Sequence, residues 1–171
     1  MACDWEKVRP DIIAMGKAMS GGVVPASGVV CDAYLMDHIQ PGDHGSTYGG
    51  NPLAMAVSRA AVQVLIDELL DENALKMGDL LMKELKTIKC PLIKEVRGRG
   101  LFIGIEIRSD SNVDGNHLAK ILKKHGLLSK ATHDTTIRLT PPLVIGEELI
   151  YEAVHIMRLA CKDLEKLNEE M

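Results

Sequence analysis

Three groups of residues in this chain have types and spacings suited to chemistry. Lys17 follows the apolar run "DIIAMG", with Gly16 just before it and Gly21 and Gly22 shortly after. A lysine in a loop is ordinarily a solvated charge; one held at the end of a buried strand offers an amine that condenses with a carbonyl cofactor. Ser46 and Thr47 stand in "HGSTYGGNP" (44–52). Their hydroxyls and the loop amides suit either an anion site near a helix entry or plain turn chemistry. Arg138 lies in "TIRLTPPL" (136–143), a strand pattern ending in two prolines. It is either a surface arginine or a fork that holds a carboxylate by a two-point contact.

Particular elements must position these residues. "DIIAMG" (11–16) and "SGVVC" (27–31) have the pattern of short buried strands, joined through a glycine-rich turn. The segment 40–52 is one long loop with four glycines and two prolines, a length that tends to be functional. Asn51 and Pro52 then mark a helix start before "LAMAVSRAAVQVLIDELL", with Leu53, Val57, Ala60, Ala61, Val64 and Leu65 as a core stripe. Asn73 is expected to open a second helix, whose Met77, Leu80, Leu81, Leu85 and Ile88 share one face. "LFIGIEI" alternates as a strand, with Leu101, Ile103, Ile105 and Ile107 on one side. A short helix near 116–125 follows, then "LLSK" and "TTIRLTPPL" as strands or edges. A final helix spans about 146–169, with acidic residues early and lysines late to suit its dipole. "RSDSNVDGN" (108–116) reads as a surface connection, so residues from Asn73 onward look self-contained while the first seventy look like part of something larger.

Composition narrows the function classes. Of 171 residues, 46% are hydrophobic and 26% charged, ordinary globular usage. A net charge of -4 leaves no basic footprint, and 3% aromatics gives no base-stacking platform, so nucleic acid is not an expected partner. Cys3, Cys31, Cys90 and Cys161 form no CxxC pair and read as reduced thiols, with neither a disulfide frame nor a metal site expected. No apolar run is long enough for a bilayer and "MACDWEKVRPD" has no signal-peptide core, so no membrane is expected and the cytoplasm is the expected compartment.

Together, an amine for an imine, hydroxyls for a phosphate and an arginine for an amino-acid carboxylate fit a pyridoxal-phosphate enzyme. The stretches "VRPDIIAMGKAMSGG", "PGDHGSTYGGNPLA", "VRGRGLFIGIEI" and "IRLTPPLVI" carry the specific likeness. In that order and spacing they resemble the C-terminal portion of the class III aminotransferases, of pyridoxal-phosphate fold type I, over essentially the whole chain. The resemblance implies an α/β fold: the C-terminal end of the large cofactor-binding domain (1–72), then a small α+β C-terminal domain (73–171). It implies pyridoxal 5'-phosphate as cofactor and Lys17 as the Schiff-base lysine, which also shuttles the reaction's proton. Thr47, with Ser46 beside it, would bind the cofactor phosphate of the neighbouring subunit in a homodimer or higher homo-oligomer. Arg138 would hold a substrate carboxylate or pair with an active-site glutamate. The implied small-molecule substrates are an amino acid and a 2-oxo acid such as 2-oxoglutarate. The tyrosine of "HGSTYGGNP" and "IRLTPPLVI" favour ornithine's terminal amino group, with acetylornithine or 4-aminobutyrate as alternatives. Family subunits are considerably longer than this chain. The aspartate for the pyridine nitrogen, the glycine-threonine phosphate loop and the ring-stacking aromatic all lie ahead of the matching segment. The chain alone is therefore expected to be an inactive piece that binds a partner subunit, and the full-length parent fits the mitochondrial matrix as well as the cytoplasm.

Overall fold

Local capping and hydrophobic period account for most elements of the computed structural model, which describes all residues from Met1 to Met171. The chain divides into two compact units, Met1–Glu68 and Leu69–Met171.

The first unit carries α1 (Ala2–Trp5), β1 (Ile12–Met15), a 3-10 turn (Ala18–Ser20), β2 (Gly28–Cys31), α2 (Ala33–Met36) and α3 (Pro52–Asp67). β1 and β2 pair antiparallel, with Ile12 opposite Cys31 and Met15 opposite Gly28. Asn51 caps α3 as expected: its side-chain oxygen accepts from the Ala54 N–H at 2.9 Å, and Pro52 takes the first helical position. The expected burial of this unit does not occur. Ile12, Val29 and Val30 are 59%, 53% and 54% exposed, and Leu53 of the α3 stripe is 68% exposed. A two-stranded ribbon has nothing to cover its faces, and the buried residues here are only Ser20, Ala54 and Ser58.

α3 stops short of its apolar pattern because Leu69 takes a left-handed conformation, φ 50°, which a bulky residue rarely adopts. That residue also starts the second unit. α4 runs Leu70–Leu85, so Asn73 does not open it; Asn73 sits within the helix and donates its side-chain N–H groups to the carbonyls of Leu143 and Ile145, at 2.6 and 3.2 Å. β3 (Ile93–Arg99), β4 (Phe102–Ile107), α5 (Gly115–Lys124), β5 (Lys130–Thr132), β6 (Thr136–Leu139) and α6 (Glu147–Glu170) follow. The four strands form one antiparallel sheet in the order β3-β4-β6-β5. Of "LLSK", only Lys130 belongs to a strand.

The alternation of β4 works as expected. Ile103, Ile105 and Ile107 are fully buried with Ile137 of β6. They pack in one core with Met77, Leu81 and Leu85 of α4, Leu118 and Leu122 of α5, and Ile150, Met157 and Leu164 of α6. Each such side chain contributes roughly 1.5–3 kcal/mol by leaving water. At one point α4 crosses the turn between β3 and β4 so closely that a Cβ on Gly78 would collide with the backbone of Gly100. All four cysteines are free, Cys90 and Cys161 buried and Cys3 and Cys31 partly so. No helix is long and apolar enough to cross a membrane.

Candidate functional site

Lys17 begins where β1 ends. Its backbone sits at φ 57°, ψ −105°, a left-handed geometry for a residue with a side chain, costing on the order of 1–3 kcal/mol. The chain then coils through the 3-10 turn and two glycines at φ 67° and 83°, and Gly21 lies close over Ala61 of α3. Ser20 fastens this loop. It is wholly buried, and its hydroxyl donates to the Val24 carbonyl while accepting the Val24 N–H at 3.2 Å. Sequence reasoning passed over Ser20; its only signal was a small polar residue directly before a glycine pair.

The loop sets Lys17 at the wall of a cavity of about 520 Å³, with Ser27, Tyr48, Gly50, Asn51 and Met55 among its other walls. No carboxylate lines this cavity, and Lys17 makes no ion pair. An amine free of a counter-charge in a cavity is suited to attack a carbonyl carbon whenever it is neutral. Lys17 itself is exposed, beside the uncovered two-stranded ribbon.

The long loop brings Tyr48 to Asn51 to the cavity, but not Ser46 or Thr47, which are exposed outside it. Ser46 is occupied in a turn, its hydroxyl accepting the Gly49 N–H at 3.0 Å. Thr47 makes no hydrogen bond and keeps its donor free.

Arg138 belongs to the second unit. It lies on β6 opposite Gly104 of β4, with its guanidinium over the ring of the exposed Phe102, 5.6 Å from the centroid. It makes no ion pair, and its buried Nε has no hydrogen-bond partner. The nearby carboxylate of the sheet is already spent. Glu106 accepts from Lys94 at 2.6 Å and Arg97 at 2.5 Å, and these two cations hold its carboxyl below the ordinary range. Arg138 also lines a cavity of about 450 Å³ with apolar walls that include Leu81, Leu139 and Ile150. An arginine with an unused donor at an apolar cavity is suited to receive a carboxylate.

The family model described as aminotransferase class III matches residues 1–161. An ornithine aminotransferase of Staphylococcus carnosus is 52% identical over 153 residues, covering 90% of this chain and 38% of that protein. The mitochondrial ornithine aminotransferase of Arabidopsis thaliana is 46% identical, over 98% of this chain and 37% of its own length. Among solved structures, the ornithine aminotransferase of Toxoplasma gondii matches with a TM-score of 0.92 at 42% identity, over 97% of this chain and 40% of that one. An acetylornithine aminotransferase of Elizabethkingia anophelis matches with a TM-score of 0.89 at 46% identity, over 95% of this chain and 43% of that one. The chain thus spans a little under two fifths of the length of these curated relatives.

Proposed function

The chain belongs to the class III aminotransferases, and on that premise we propose that it forms the C-terminal part of an ornithine aminotransferase subunit. Residues 1–72 would close the large cofactor-binding domain and 73–171 would make the small domain. The observation that carries this is Lys17: an unpaired primary amine, on a preformed loop, at a cavity without a carboxylate. The bare faces of β1 and β2 suit a unit whose cover comes from further strands of a larger domain.

The donor set fits pyridoxal 5'-phosphate, with a free amine for its carbonyl carbon and a free hydroxyl at Thr47 for its phosphate. When bound, the cofactor supplies the electron sink that makes the substrate's reacting carbon acidic. Lys17 would hold the cofactor through its amine, and the same amine is the group that would move the proton at the substrate's reacting carbon. Thr47, which stands outside its own chain's Lys17 cavity, would donate to the phosphate bound in a neighbouring subunit. Arg138 fixes a carboxylate of the amino acid or 2-oxo acid, and the apolar walls of its cavity take the aliphatic part. Ornithine is the favoured amino donor because relatives of that name are about half identical to this chain. Acetylornithine is the second reading, supported by the closeness of the Elizabethkingia structure.

The test is Lys17→Ala in a subunit of family length that carries these residues. Borohydride reduction should fix the cofactor's mass on the peptide containing Lys17 in the parent, and the variant should lose both the adduct and amino transfer. Retention of both would overturn the assignment. Rates with ornithine, acetylornithine and 4-aminobutyrate as donors separate the substrate readings.

A further inference from the structure

Cys90 and Cys161 are free thiols buried in the core of the second unit. They come from different elements. Cys90 lies in the connection between α4 and β3, and Cys161 lies within α6 between the wholly buried Met157 and Leu164. Their side chains meet there. The two thiols share a hydrogen bond, which lowers Cys90 from its ordinary value and raises Cys161. Burial opposes the shift at Cys90 and adds to it at Cys161, while the Leu92 and Ile93 N–H groups also favour negative charge on the Cys90 sulfur. The segment that carries Cys90 is tied to α6 one turn ahead of Cys161, where Arg158 Nη2 donates to Thr87 Oγ1 at 2.7 Å and stands 4.0 Å from Glu84. The meeting of the sulfurs is thus held by the packing of both segments. It is also reachable: Cys90 keeps 8% of its surface, and Cys161 lines a cavity of about 570 Å³ with Lys89, Arg158, Lys162 and Glu165.

We propose that Cys90 and Cys161 form a site of reversible oxidation, closed to a disulfide by exchange with a small disulfide and stapling α6 to the α4–β3 connection. The site stands apart from Lys17 and does not rest on the proposed function. The Cys90 thiolate attacks one sulfur of the small disulfide, whose other half leaves as a thiolate and takes up a proton. Cys161 then gives its proton to solvent and attacks the Cys90 sulfur, releasing the second half as a thiol. Two protein S–H bonds and one reagent S–S bond become one protein S–S bond and two reagent S–H bonds, so the protein is oxidised and the reagent reduced. A buried thiol alone is ordinarily inert; here one thiol is supported as an anion and its resolving partner is already in contact. The closed loop, 90–161, holds the whole four-stranded sheet and α5. A link across so long a loop restricts the unfolded chain strongly.

The test incubates the reduced 171-residue chain at neutral pH with hydroxyethyl disulfide, then maps its peptides by mass spectrometry without reductant. A linked peptide pair containing Cys90 and Cys161 should appear and should separate again with dithiothreitol. The urea midpoint of the oxidised chain should rise by about 1 M or more. Cys3→Ser with Cys31→Ser should leave both results in place, which assigns them to the core pair. In that background Cys161→Ala should keep the hydroxyethylthio group on Cys90, and Cys90→Ala should leave Cys161 unmodified. The peptide map of the unsubstituted chain needs no change at the pair, so it decides the matter even where a core variant folds poorly. Free Cys90 and Cys161 beside modified Cys3 and Cys31 would overturn the proposal. So would a link that forms only once urea is added, or one that leaves the midpoint unchanged or lowers it. Modification of Cys161 in a folded Cys90→Ala chain would overturn the assignment of Cys90 as the attacking thiol.

Discussion

Gly78→Ala should destabilise the second unit although it replaces glycine by the best helix former. In an unobstructed helix interior the change gains about 1 kcal/mol, because alanine loses less backbone entropy on folding. At position 78 the new methyl falls on the backbone of Gly100, which cannot swing aside as a side chain would. Gly100 is itself held at φ 52° in the turn joining β3 to β4. α4 cannot retreat freely either, since Met77, Leu81 and Leu85 anchor it in the core at 2% exposure each. Overpacking of this kind costs typically 1–3 kcal/mol, and with rigid backbone on both sides the upper end applies. Subtracting the propensity gain leaves a net loss of about 2 kcal/mol. Urea unfolding of the chain, followed by the far-ultraviolet transition to which α4, α5 and α6 contribute, should show a midpoint lowered by roughly 1 M. A midpoint equal to or above that of the parent would refute the argument that contact, and not propensity, decides this position.

Thr47→Val in the whole subunit should weaken cofactor binding by about 1.5–3 kcal/mol, the range for a hydrogen bond to a charged group. Mixed dimers with Lys17→Ala should regain partial activity through their one intact site; no recovery in verified mixed dimers would return Thr47 to its own subunit's site. Glu106→Gln should remove part of the acid sensitivity of the second unit. Lys94 and Arg97 lower the Glu106 carboxyl beneath its ordinary 4.5, so its contribution is present above that value and fades as pH falls through the lowered one. The urea midpoints of parent and variant should therefore differ at neutral pH and converge in acid; a constant difference would show that Glu106 remains unprotonated or contributes nothing.

Features set by neighbouring residues were legible in the sequence. β4 alternates strictly, and Asn51-Pro52 carries a complete helix start. β3 was not legible, since "IKEVRGR" offers only Ile93 and Val96 as apolar residues, and a register shift between Ile93 and Glu95 breaks their period. The start of α4 was misplaced at Asn73 because a capping residue type looks the same whether it caps or reaches carbonyls seventy positions away. The exposure of β1, β2 and α3 was illegible for a different reason. Apolar pattern states that a face wants cover and says nothing about which segment supplies it. Lys17 and Arg138 could be picked by residue type, while Ser20 gains meaning only through a loop closure.

The Ser20 closure also fixes the order of events at Lys17. Ser20 and Val24, four residues apart, bond in both directions, so this local closure can form as the chain folds. The strained backbone of Lys17 is thus a cost met during folding, when the rest of the unit can offset it. A carbonyl compound reaching the amine meets a loop already in place. If Lys17 takes up a carbonyl group as proposed, none of the roughly 1–2 kcal/mol of backbone ordering per residue is charged to that event.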